Sequence, residues 1–147
     1  CTFTKYSGII AVIKKQSSSE NNMNKTLRVV VALPAILFVF MGLRWVFAPA
    51  AIAPEFGMPL LEGLGLSTQV GDLGAFFVCG GLFVLIGLVT QKRTWLYAPA
   101  MLLGFTAVFR VLAYLLHDAT FASTQILVEV VVTALLLFAA SRLPAEQ

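Results

Sequence analysis

Residues 120–141 read TFASTQILVEVVVTALLLFAAS, an apolar run broken near its middle by one carboxylate, Glu129. At about 1.5 Å per residue, a helix of this length crosses the roughly 30 Å of a bilayer's hydrocarbon core. The run is continuous rather than alternating, so it fits a helix and not a barrel strand. Three more runs of this kind precede it, at about 26–47, 68–89 and 94–116. The expected fold is therefore an all-α membrane protein, a bundle of four transmembrane helices.

The rest of the composition agrees. The chain of 147 residues is 59% hydrophobic and 12% charged, about half the charge fraction of a soluble domain, with mean hydropathy +0.92. Its ten Lys and Arg against seven Asp and Glu matter by position, because flanking cations set membrane orientation. Lys14, Lys15, Lys25 and Arg28 precede the first span, Lys92 and Arg93 fill the turn between the second and third, and Arg142 follows the fourth. The other two connections hold Glu55, Glu62, His117 and Asp118, with no Lys or Arg. Both termini and the middle turn are thus expected in the cytoplasm, and the basic balance points to no nucleic acid. Trp45 is expected at the outer interface, and Trp95 and Tyr97 at the inner one.

Residues 1–22 lack an initiator Met, carry a Ser/Asn-rich stretch and precede Met23-Asn24-Lys25, which looks like a natural start. They are expected to form a loosely ordered appendage outside the native fold. LRVVVALPAILFVFMGL, followed by Ala48, Ala50, Ala51 and Ala53, also resembles a signal peptide; Pro54 after Ala53 and the nearby charge of Arg44 argue against cleavage. The long connection 48–67, with Pro49, Pro54 and Pro59, cannot be one helix. It is too apolar for a free loop, so it is expected to lie along the outer interface or cap the bundle.

The polar residues inside the spans are ordered. Thr106, Arg110, Tyr114 and His117 recur at helical spacing, as do Gln125, Glu129 and Thr133, and Gln69 and Asp72 share the mouth of the second span. Counting rise along the helices, Arg110 and Glu129 sit about 9 and 13 Å below the outer ends of their spans, and Arg44 and Asp72 about 5–6 Å. The two layers each match an arginine with a carboxylate, and Arg110 is expected in direct contact with Glu129. A charge turned to lipid costs at least about 2.5–3.5 kcal/mol, so these stripes are expected to face the bundle interior. The cluster Arg44, Gln69, Asp72, Arg110, Tyr114, His117, Gln125 and Glu129 reads either as structural ion pairs or as an outward-facing polar cavity that binds a ligand or titrates.

Other chemistry is thin. Cys1 and Cys79 offer no disulfide framework or CxxC site, and Cys79 reads as a packing residue. His117 is the single histidine, which points away from zinc or haem; no metal, cofactor or catalytic residue is assigned. Gly71, Gly74, Gly80, Gly81 and Gly87 let another helix approach closely, within the chain or from a homo-oligomer or membrane-protein partner. Pro34-Ala35 leading to Arg44 and Pro99-Ala100 leading to Arg110 form a faint echo of two-helix duplication.

The stretches GLRWVFAP (42–49), GMPLLEGLGLSTQVGDLGAFF (57–77), TWLYAPAMLLG (94–104) and VEVV (128–131) together resemble the bacterial domain-of-unknown-function family four-three-four-five, small four-helix inner-membrane proteins. The resemblance covers residues 25 to about 141. It implies a four-span fold in the bacterial inner membrane and no particular activity. More loosely the architecture is similar to DoxX-like membrane proteins, some associated with redox or quinone-linked systems. The leading expectation is a non-enzymatic accessory or interaction protein in the lipid bilayer. The alternative is a small transporter or ligand-binding protein using the polar cluster. A third reading is an intramembrane enzyme on a quinone or lipid, in which Tyr114, His117 and Glu129 exchange protons.

Overall fold

The computed structural model describes residues 23–144; the expected appendage at 1–22 lies outside them. The described chain is helical, with no strand among the described residues. Helix α1 covers Lys25–Phe47; a short α2, Pro49–Ile52, runs into a 3-10 turn at Ala53–Phe56; α3, Gly63–Thr68, continues through a π turn, Gln69–Leu73, into α4, Gly74–Thr90; α5 is Thr94–His117 and α6 is Ser123–Arg142. Four of the resulting rods, Lys25–Phe47, Gly63–Thr90, Thr94–His117 and Ser123–Arg142, are long and apolar enough to cross a membrane.

The boundaries follow local chemistry. Asn24 caps α1, its Oδ1 accepting from the Leu27 N–H at 2.8 Å. Gln91 and Asp118 take left-handed backbone conformations (φ 58° and 53°) that stop α4 and α5. The second rod begins five residues earlier than the expected 68, because the glycines of GLGLST, read as loop, are wound into α3.

Two hairpins make the bundle, and they pack differently. In the first, α1 and α4 come close to backbone contact: a Cβ on Gly81 would stand 2.5 Å from the Ala35 carbonyl oxygen, and one on Gly42 2.7 Å from the Val78 nitrogen. Gly80 lies against Phe38, and Gly87 against Trp95 and Leu96, so these small faces serve contacts within the chain. Arg28 ties the same hairpin together by donating to the Leu88 carbonyl at 2.7 Å. The second hairpin, α5 with α6, joins the first along one core of Val31, Ala35, Val84, Leu88, Leu96, Ala100, Leu103, Leu136, Ala139 and Ala140. That core lies toward the end of the bundle carrying Lys25 and Arg142, here the terminal end. Pro34 and Pro99 line one small void at its centre.

At the opposite, loop end the first hairpin has its own core. Trp45, Ile52, Ala53 and Phe77 are buried together, with Phe56 packed over them. The Phe56 ring sits 5.9 Å from Trp45 and 5.3 Å from Phe77. The proline-rich connection therefore folds back as a cap on α1 and α4. Trp45 is completely buried beneath this cap. Cys79, expected to pack, faces outward.

Burial along the second hairpin falls toward its loop end. Leu103 is 3% exposed, Ala107 6%, and Tyr114 47%. On α6, Leu136 and Glu129 are buried while Gln125 is exposed. The cap covers α1 and α4 only, so α5 and α6 stand clear of them there and a cleft opens between the hairpins.

Candidate functional site: a loop-end cleft with a buried carboxylate

The cleft has a volume of about 410 Å³. Leu37, Phe38 and Met41 of α1, Phe76 and Phe77 of α4, and Leu103 of α5 give it an apolar wall; Thr106 and Arg110 of α5 and Gln125, Val128 and Glu129 of α6 close the other side. Size and lining suit a small-molecule pocket, which is mostly apolar with a few convergent polar groups.

The polar groups are brought together by helix pairing. Arg110 and Glu129 meet across the α5–α6 interface, and the Arg110 Nε–H donates to Glu129 Oε1 at 2.7 Å. This is the contact expected from their common depth. Glu129 is 8% exposed, and its second oxygen, Oε2, is enclosed with no hydrogen-bond partner. A buried carboxylate oxygen left bare is costly in a low-dielectric surrounding. Arg110, whose side chain is one-third exposed, makes no further hydrogen bond among the described residues through its terminal nitrogens. One turn deeper on α6, the Thr133 hydroxyl is also buried without a partner. Thr106, by contrast, donates to the carbonyl of Leu102 on its own helix.

The expected second pair of this cluster is corrected by the structure. Arg44 does not meet Asp72 but clasps Glu55, Nη1 to Oε2 at 2.9 Å and Nη2 to Oε1 at 2.6 Å. The cause is local: the break at Ala48 and the turns that follow swing Glu55 back over the end of α1. The Arg44 guanidinium, hydrogen-bonded to both oxygens, holds the Glu55 carboxyl below the usual range, the more so by its charge. Asp72 lies in the π turn and is exposed.

Gln69 also has a different task. It is buried, accepts from the Leu61 N–H at 2.9 Å and donates to the Pro59 carbonyl at 3.0 Å, pinning the connection to the start of the second rod. Tyr114 and His117, expected inside, are exposed, because the cap packs on α1 and α4 and leaves this end of α5 without a cover; Tyr114 stacks edge-on to Phe121, centroids 5.2 Å apart. Of the eight expected site residues, the structure thus gathers Arg110, Gln125 and Glu129 at the cleft.

Glu55 and the apolar wall were missed by sequence reading. A signal for Glu55 existed, since it is an acid placed between two prolines eleven positions after Arg44. None existed for Phe38, Met41, Phe76 and Phe77, because an apolar residue facing a cleft and one facing lipid look alike. Among the described residues, no group of His, Cys, Asp and Glu could hold a metal ion. Comparison of the chain with family models, with curated proteins and with solved structures finds no match.

Proposed function

We propose that this chain is a four-span protein of the bacterial inner membrane, both termini cytoplasmic, that binds a small apolar molecule in its loop-end cleft. Membrane insertion is supported by the outward faces of the four rods, where Leu33, Phe40, Val89, Phe109, Leu115 and Leu127 are all exposed. Lys25, Arg28, Lys92, Arg93 and Arg142 all belong to the terminal end, and Glu55, Glu62 and Asp118 to the loop end, which supports the orientation. The resemblance of GLRWVFAP and its companion stretches to bacterial inner-membrane proteins supports the location.

One observation carries the binding role: a cleft of about 410 Å³ whose apolar walls meet the Arg110–Glu129 pair. The direct Arg110–Glu129 bond favours a second reading, an accessory protein in which the pair merely locks α5 to α6.

The test is a variant that fills the cleft without touching the pair, Val128→Trp. The protein is purified in polymer-excised native membrane discs, and small molecules retained relative to empty discs are measured by mass spectrometry. The proposal expects a molecule enriched with the parent and lost with the filled variant. Equal profiles for parent, variant and empty discs would support the accessory reading instead.

A further inference from the structure

Resting on the reading of the cleft as a ligand site within a bilayer, we infer that its occupant is a neutral long-chain carbonyl compound whose oxygen accepts a hydrogen bond from Arg110. The way in is sideways. Leu37 of α1 and Val128 of α6 both line the cleft and are each about half exposed, so its two lips meet the hydrocarbon of the membrane. Behind them Phe38, Met41, Phe76 and Leu103 offer no polar partner, and such walls favour an apolar body over a file of water.

Depth sets which molecules reach the arginine. Helix α5 has 24 residues, about 36 Å at 1.5 Å each, against roughly 30 Å of hydrocarbon. With the excess shared between its ends, Arg110, seven residues before His117, sits about 7 Å inside the hydrocarbon boundary. A phospholipid's charged head anchors its ester carbonyls near that boundary, too far out. Thr124 and Gln125, which also border the cleft, belong to the first turn of α6 and stay near the boundary as well. A carbonyl compound without a charged head is free to sink to the level of Arg110.

Hydrogen-bonding capacity sets the head. Glu129 is buried, with Oε1 taken by the Arg110 Nε–H and Oε2 enclosed away from the cleft. Thr106 gives its proton to the Leu102 carbonyl. What remains open at this depth is the guanidinium, one-third exposed, whose terminal N–H groups only donate. Donors left bare to hydrocarbon are costly. A carbonyl oxygen satisfies them without bringing a proton that needs an acceptor of its own, and a neutral head leaves the charge balance of the Arg110–Glu129 pair undisturbed.

The experiment uses four photoreactive probes built on one dodecyl chain: the methyl ketone, the matching secondary alcohol, the bare alkane and a zwitterionic phospholipid. Each is added to the full chain in discs of zwitterionic lipid and illuminated. Its labelling around Met41 and Phe76 is then divided by its labelling at the outward-facing Phe40 and Phe109. The ketone's ratio should exceed those of the alkane and the phospholipid about ten-fold, the factor expected from one hydrogen bond to a charged group, with the alcohol between. The double variant Arg110→Met with Glu129→Met, which strands no charge, should bring the ketone down to the alkane; if it fails to fold, the parent series decides alone. A ketone ratio no higher than that of any other probe, or a ketone preference that survives in the double variant, would overturn the assignment of the head; the cleft stays a ligand site as long as any ratio stands well above one. Ratios near one for all four probes would overturn the ligand-site reading and this inference with it.

Discussion

Two arginine–carboxylate pairs at the loop end of this bundle have nearly the same length and different consequences. Arg44 grips Glu55 with two hydrogen bonds, 2.9 and 2.6 Å, on an exposed edge where Glu55 is half accessible. Arg110 reaches Glu129 with one bond at 2.7 Å, and the carboxylate is buried with an oxygen to spare. The first pair closes a cap over the core around Trp45. The second stands at the head of an open cleft. An ion pair at membrane-like depth is therefore not informative by its presence; the space beside it separates a clasp from a site.

The hairpins that carry the pairs differ in the same sense, and substitutions can break the contrast. The largest effect is expected at Gly81, where a side chain would collide with the Ala35 carbonyl. Gly81→Val should destabilise by about 3 kcal/mol or more, measured by reversible unfolding in bilayer discs. A loss under about 1 kcal/mol there would mean that the hairpin is looser than the structure has it. Next comes Leu136→Ala in the shared core of the terminal end. It should cost about 2 kcal/mol through the cavity it leaves, whereas Val128→Ala at the cleft wall should cost less than about 1 kcal/mol, since the cleft is already open.

Breaking the second pair comes third. Arg110→Gln strands Glu129, and a stranded buried charge costs about 3–5 kcal/mol. The arginine's partial exposure reduces the expected loss to about 1–2 kcal/mol. Glu55→Gln should have the smallest effect, a slight fall in the melting midpoint, because that pair is solvent-screened. The sign of its pH dependence is fixed: the Glu55 carboxyl is held below its ordinary value by Arg44, so its contribution is full above that value and fades as pH falls through the lowered one. A parent whose midpoint falls more in acid than that of Glu55→Gln would agree; identical acid profiles would count against the clasp.

Much of the fold was legible before the structure. Helix length, apolar continuity and the grouping of Lys and Arg gave four rods with ends close to those observed, since these are local properties of the chain. The Arg110–Glu129 contact was legible too, from depth along two helices joined by a short turn. Arg44 was misassigned because its partner sits in a proline-broken connection, where depth counting has no meaning. The burial of Trp45 under a cover built from Ile52 and Phe56 was not legible, because residue preference speaks of depth and not of contacts. An outward-facing polar cavity was one of the two expectations for the cluster; a mainly apolar cleft between the hairpins was not legible. It arises because the cap covers one hairpin and not the other, a tertiary fact with no signature in either segment.

The central claim is that the Arg110–Glu129 pair is a binding element and not only a lock. The direct measurement is on the doubly neutral variant Arg110→Gln with Glu129→Gln, reading in one preparation its unfolding in discs and its retention of the small molecule bound by the parent. The account predicts stability recovered most of the way toward the parent, because no charge is left stranded, together with loss of the retained molecule. A double variant that folds and still holds that molecule as the parent does would contradict it.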